Sequence, residues 1–326
     1  MKKVSILVPE SSVMQAIADP QYLFTAVNHF LLAAGKAPLF EVELVGVKKE
    51  VKLNNGMFSV YTDRQIKDDK KTDLVFIPAL FGDLSSAVDK NKALVPWIVE
   101  QYGKGAEIAS LCLGAFLLAS TGLLDGKKCS THWGFQNEFR EMYPAVQVVD
   151  GSIITEEKGI YSSGGANSYW NLLLHLVEKY TNRDTAILAS KYFAIDIDRD
   201  SQSAFAMFKG QKDHNDEAIV KAQEYIEKNI HERISIDELA GIATMGRRSF
   251  ERRFRQATNN SVLEYIQRVK IEAAKRQFES SRKNINEVMY DIGYTDTKAF
   301  RDLFKKITGL TPVEYRNKYN KQPVLN

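Results

Sequence analysis

Two groups of residues in this 326-residue chain have types and spacings that could do chemistry. The first centres on Cys112. The run Ile108-Ala109-Ser110-Leu111-Cys112-Leu113-Gly114-Ala115-Phe116 reads as a strand, a sharp turn and a helix, with the cysteine at the turn. Such an elbow exposes one side chain above a sheet, beside a helix N-terminus whose dipole favours thiolate. His132 follows in Ser130-Thr131-His132-Trp133, so a nucleophile and a base are both present by type. The turn Ser163-Gly164-Gly165 precedes an expected helix over residues 166–180, whose first N–H groups could hold a carboxylate. Cys112, Leu113, His132, Gly164 and Gly165 are therefore the expected lining of a small-molecule pocket. Three roles stay open for Cys112: a pocket or remnant residue, an oxidation-sensitive thiol, and a catalytic nucleophile. His132 could equally pack beside Trp133 with its ring bonded to backbone. Tyr169 and Trp170 either wall the pocket or belong to the core.

The second group is basic and occurs twice. Ile234-Ser235-Ile236-Asp237-Glu238-Leu239-Ala240 leads through Gly246 to Arg247-Arg248-Ser249-Phe250 and Arg253-Phe254-Arg255. About fifty residues later, Asn284 to Tyr290 leads through Gly293 to Thr297-Lys298-Ala299-Phe300 and Leu303-Phe304-Lys305. Each unit reads as a capped helix, a turn and a second helix. In each second helix two Phe residues four apart share the buried face. Arg248, Glu251, Arg252 and Arg255 then point outward in the first, and Thr297, Lys298, Arg301 and Lys305 in the second. Arginine can bond both major-groove acceptors of guanine, and Glu251 can accept from cytosine or orient Arg248 or Arg255. Arg247, Lys305 and Lys306 lie nearer helix ends and suit phosphate. Two such units suit two successive major grooves of one duplex.

These residues need rigid supports. Residues 4–8, 40–47, 74–77, 107–111 and 159–162 are apolar strand candidates, mostly followed by helical patterns such as 22–34, 92–102, 114–120 and 166–180. That alternation predicts an α/β fold, a parallel sheet covered on both faces, over residues 1 to about 200. Asn54-Asn55-Gly56 predicts a side hairpin. The chain turns polar near 196–217, so a linker is expected at 205–216, between units 1–204 and 217–320. Seven helices are expected beyond it, making an all-α unit with helix-turn-helix segments near 235–257 and 285–308.

Charge follows the same division. Residues 1–214 carry 23 Lys+Arg and 25 Asp+Glu, and residues 215–326 carry 21 and 16, so the whole excess of +3 comes from the second part. Two cysteines give neither a disulfide framework nor a metal spacing, and no metal or cofactor is expected. No run approaches the roughly 18 apolar residues of a spanning helix, so no membrane partner is expected. Lys2-Lys3 followed by a short apolar stretch reads as a first strand rather than a signal peptide, which with the reduced cysteines fits a cytoplasmic location.

Asp291-Ile292-Gly293-Tyr294 and the closing Gly309-Leu310-Thr311-Pro312-Val313-Glu314-Tyr315-Arg316 resemble the AraC/XylS DNA-binding domain over residues 217–320. Gly246 stands where that family often has a capping Ser, and Asn259-Asn260 replaces a common Thr-Gly. Cys112 to Ala119, Gly122 to Lys127, Thr131-His132-Trp133, Ser162 to Gly165, Leu174 to Val177 and Arg199 to Gln202 resemble the ThiJ/PfpI superfamily, relatives of class I glutamine amidotransferases. Enzymes of that superfamily place an acid beside the cysteine. Here Gln15 or Ala16 occupies that position, and Glu10 and Asp19 are the nearest carboxylates. The combination resembles GlxA-like transcriptional regulators with a flavodoxin-like first domain. The resemblance implies a metabolite-controlled regulator, an activator rather than an enzyme. The implied partners are promoter-operator double-stranded DNA, a small-molecule effector, a second copy of the chain and RNA polymerase. The rival reading is a cysteine-dependent hydrolase or hydratase joined to a DNA-binding domain.

Overall fold

The computed structural model describes residues 1–320 apart from 69, 198, 209 and 213, and divides the chain into two compact units at Gln202/Ser203. The first unit runs β1 (Lys2–Leu7), α1 (Met14–Ala33), β2 (Phe40–Gly46), β3 (Glu50–Leu53), β4 (Phe58–Tyr61), β5 (Arg64–Gln65), β6 (Leu74–Ile77), α2 (Leu84–Lys90), α3 (Val95–Gly103), β7 (Glu107–Ser110) and α4 (Gly114–Ala119). It continues with β8 (Lys128–Cys129), α5 (Gln136–Met142), β9 (Gln147–Val148), β10 (Ile154–Glu157), β11 (Ile160–Ser163), α6 (Tyr169–Tyr180) and α7 (Arg183–Phe193).

Seven strands form one sheet in the order β10-β11-β7-β6-β1-β2-β5, parallel throughout except for the β10–β11 edge pair. All four residues of β6 and of β11 are buried, as a sheet covered on both faces requires. Strand order reverses between β1 and β6, and in open α/β sheets ligands bind beyond the carboxyl ends of the strands at that reversal. The hairpin expected at Asn54-Asn55-Gly56 is β3–β4, with Asn54 and Asn55 both at positive φ. Helix α1 starts eight residues before the expected 22–34. Pro20 lies inside the helix, with Ala16, Ile17 and Pro20 all buried, so core packing offsets the lost backbone bond.

The second unit is helical: α8 (Glu217–Lys228), α9 (Ile236–Ile242), α10 (Arg247–Thr258), α11 (Val262–Ser280), α12 (Ile285–Asp291), α13 (Thr297–Thr308) and α14 (Pro312–Tyr319). Its two cores share α11. Val262, Tyr265 and Ile266 complete the first core with Phe250 and Phe254. Ile271, Ala274 and Phe278 complete the second with Phe300 and Phe304. A helix of 19 residues is about 28 Å long, so α11 sets the separation of the two cores.

Residues 204, 206, 208, 211 and 212, expected within or beside a linker, are bonded to α8, α11 and α14 instead. Lys275 Nζ donates to Ala206 O at 2.5 Å and to Glu272 Oε2 at 2.7 Å. The same Glu272 oxygen accepts from the Phe208 N–H at 3.1 Å. Phe208 meets Tyr265 edge-on at 5.1 Å, and Gln223 donates to Gln211 O at 2.7 Å. Polar composition made this segment look solvated. Ala206 O, the Phe208 N–H and Gln211 O are in fact satisfied by buried side chains of the helices.

Candidate functional site

The elbow forms where expected. Cys112 has φ +52°, and the strain of that conformation is held by its neighbours: its N–H donates to Ser163 Oγ at 3.3 Å and its carbonyl accepts from Thr131 Oγ1 at 3.2 Å. Gly114 is required here, because a Cβ would come within 2.3 Å of Ile77 O at the end of β6.

The chemistry of the elbow differs from the expectation. Cys112 is only 4% exposed, and burial pushes its thiol up to about 12, outweighing the lowering by the Leu113 backbone N–H. The helix that follows has six residues, too short a dipole to offset that desolvation. The expected thiolate is therefore corrected to a neutral thiol. Among the described residues no hydrogen bond joins Cys112 to His132. The His132 ring packs beside Trp133 at 5.2 Å, its Nδ1 accepts from the Gly134 N–H at 3.1 Å, and burial lowers its pKa, so it is neutral. Glu10 pairs with Lys48 at 2.7 Å on the surface, and Gln15 is exposed. Asp19 accepts from Tyr169 OH at 2.6 Å and Trp170 Nε1 at 2.9 Å, which assigns these two aromatics to the core. Burial, then the bond to Asp19, raises the Tyr169 pKa, and Cys112 lies close enough to add to that.

The glycine turn is corrected as well. Helix α6 starts at Tyr169, not at residue 166, and the Gly164 N–H already donates to Ile153 O at 2.8 Å. What the turn provides is space. A Cβ on Gly164 would lie 2.1 Å from Gln202 Nε2 and 2.6 Å from Thr131 O. Gln202, 1% exposed, fills that space: its Nε2 donates to Thr131 O at 2.9 Å and Ser152 O at 3.1 Å, and its Oε1 accepts from the Trp133 N–H at 3.2 Å. Gln202 thus ties the His132 loop to the Gly164 turn. The sequence signal for it was only its place at the end of the Arg199 to Gln202 motif.

The basic helices are built as two copies of one design. Ser235 with Glu238 and Asn284 with Glu287 form reciprocal caps on the first helices. Ser261 with Glu264 and Thr311 with Glu314 do the same on the helices that follow the second ones. Thr258 and Thr308 donate back to Phe254 O and Phe304 O at 2.7 and 2.8 Å. Residues 250, 254 and 258 are buried, as are 300, 304 and 308, so an offset of fifty superposes α10 on α13. Gly246 caps α10 with φ −68° and ψ 143°, and Asn259 closes it at φ +53°, as the left-handed position requires. In the second unit the cap is Asp296, bonded to the N–H groups of Lys298 and Ala299.

The two copies are locked together. Buried Lys270 donates to Glu232 O at 2.8 Å and Ile292 O at 3.0 Å. Gly293, φ +76°, closes so tightly that a Cβ would sit 2.4 Å from His231 O.

Arg248, Arg252, Arg255, Lys298, Arg301 and Lys305 are exposed, and Thr297 is half-buried. Arg247 instead meets Asp237 at 3.1 Å and Glu251 at 3.7 Å, so Glu251 braces Arg247 rather than Arg248 or Arg255. Arg253 was not singled out by sequence. It holds Asp216, the cap of α8, through two bonds of 2.9 and 2.8 Å. Among the described residues no helix is long and apolar enough to cross a membrane.

Residues 239–318 match the helix-turn-helix domain family, and residues 23–179 match the DJ-1/PfpI family. The transcriptional regulator GbdR of Pseudomonas aeruginosa is 25% identical over 223 residues, 68% of this chain and 60% of GbdR. The transcriptional regulator GlxA of Rhizobium meliloti is 23% identical over 217 residues, 66% of each chain. The chain thus spans about three fifths of GbdR. A solved structure of a candidate transcriptional regulator from Vibrio parahaemolyticus superposes with TM-score 0.52 at 25% identity, covering 59% of this chain and 98% of that one.

Proposed function

We propose that this chain, a DJ-1/PfpI domain joined to an AraC-type helix-turn-helix domain, is a DNA-binding transcriptional regulator controlled by a small metabolite. One observation carries the reading. Two helix-turn-helix units, capped alike and anchored alike by Phe250/Phe254 and Phe300/Phe304, present Arg248, Arg252, Arg255, Lys298, Arg301 and Lys305 to solvent. The basic side chains supply phosphate neutralisation and base readout together.

The first domain serves as the sensor in this reading, with the effector near Cys112, Leu113, His132, Gly164 and Gly165. A neutral thiol, a neutral histidine bonded to its own loop, and carboxylates engaged elsewhere support a binding role over turnover. Gln202 binds the rim of this region and is followed directly by the segment held on α11, which offers a covalent route for the signal. Activation, a dimeric state, contact with RNA polymerase and a cytoplasmic location complete the proposal.

The test is selection of a randomised duplex library on the full chain, followed by footprinting of the enriched sequence. Two protected major-groove segments per subunit, about 34 Å apart, are expected. Protection of a single groove segment would refute it. A thermal-shift panel of amino acids and quaternary amines on the full chain tests the sensor, and no stabilising compound would argue for a DNA binder without an effector.

A further inference from the structure

The fifty-residue offset exposes a difference between the two second helices. Positions i, i+4 and i+7 lie on one stripe of a helix, because successive residues turn by about 100°. In α10 the stripe opposite the buried Phe pair is Arg248, Arg252 and Arg255. In α13 the same positions are Lys298, Asp302 and Lys305. Asp302 therefore occupies the place of Arg252, in the centre of a stripe otherwise basic in both copies.

Asp302 and Glu251 are the acidic residues of the two helices, and they differ in circumstance. Glu251 is half-buried beside Arg247. Asp302 is exposed, and among the described residues it makes no ion pair or hydrogen bond, although Lys298, Lys305 and Lys306 lie three or four positions away. No bond ties it to the fold, and towards phosphate it is repulsive.

We infer that Asp302 is a specificity-determining residue that selects cytosine in the half of the operator read by the second unit, an inference that rests on the DNA-binding reading above. An ionised carboxylate only accepts hydrogen bonds. In the major groove the donors are the amino groups of cytosine and adenine, and adenine sets its N7 acceptor beside its donor. Guanine and thymine offer acceptors there, which repel the carboxylate. Cytosine alone gives the carboxylate a donor without an adjoining acceptor on the same base. The two units then read with opposite chemistry at equivalent positions: Arg252 seeks acceptors and Asp302 seeks a donor. An operator for this protein cannot be two copies of one half-sequence, and each monomer binds in one direction only.

The experiment is library selection on the full chain with the wild type, Asp302→Ala and Asp302→Asn, using randomised duplex DNA as the probe and calf-thymus DNA for nonspecific affinity. The wild type should enrich two unlike segments, with one cytosine position in the second. Asp302→Ala should flatten that one position, a loss of roughly 5- to 150-fold in discrimination, while nonspecific affinity rises. Asp302→Asn should move the preference toward adenine, which an amide bonds at both edge atoms. An even gain of affinity across all sequences with every preference intact would overturn the inference and leave Asp302 a surface charge. If the wild type enriches no sequence, the DNA-binding reading itself fails and this inference falls with it. Melting of all three proteins should nearly coincide, since Asp302 is exposed and makes no hydrogen bond or ion pair among the described residues.

Discussion

Lys275→Met tests whether Ala206 and Phe208 are held on α11 as the geometry indicates. The Lys275 and Glu272 side chains are 5% and 11% exposed and 2.7 Å apart. Between them they satisfy Ala206 O and the Phe208 N–H. Removing the lysine leaves Glu272 nearly buried with its counter-charge gone. Breaking a buried pair in this way costs about 3–5 kcal/mol. At roughly 4 °C per kcal/mol for a unit of this size, the helical unit should melt 12–20 °C lower. The segment should also become open to protease, because its Lys275–Ala206 anchor to α11 is lost. Lys275→Met combined with Glu272→Gln should recover most of the loss, since the amide still accepts from the Phe208 N–H and no lone charge remains. Scanning calorimetry and mass-mapped limited proteolysis of the full chain read both effects. Unchanged melting and cleavage in Lys275→Met, or a double variant as unstable as the single, would refute the account.

Three further outcomes follow from the geometry. With both thiols at about 12, alkylation of Cys112 and Cys129 at neutral pH should run at least roughly a thousand-fold below a free cysteine of pKa about 8.5 and rise with pH without levelling below pH 10; a plateau near pH 7 would restore the reactive-cysteine reading. Gly293→Ala should destabilise by more than the about 1–2 kcal/mol of a left-handed alanine because of the His231 carbonyl, whereas Gly35→Ala, at φ +71° with open space around it, should cost only the conformational part; equal losses in urea denaturation would contradict this. For Asp216, burial raises the carboxyl pKa but the Arg253 and Ile219 bonds outweigh it, so the folded pKa lies below the unfolded one. Its stabilisation is present above the ordinary carboxylate range and lost as pH falls through the folded pKa, and Asp216→Asn should flatten that acid slope in denaturation midpoints; an unaltered slope would remove Asp216 from the account.

The helical half was legible in the sequence because its signals are local. Caps three residues from their partners, Phe residues four apart and turn residues at fixed offsets define α9 to α14 within the chain's own short range. The strand, turn and helix around Cys112 were legible for the same reason. What surrounds these elements was not, because it arrives from far along the chain. Ser163 reaches Cys112 across 51 residues and Gln202 reaches Trp133 across 69, and together they turn an expected exposed thiolate and open glycine turn into a buried thiol and a filled one. The polar run before residue 217 misled for a related reason: local propensity sees a solvated stretch, while burial against distant helices supplies the compensation. Sequence determined which elements form and what each could contact; tertiary packing decided which polar groups are left in water, and a group's charge and reactivity depend on that.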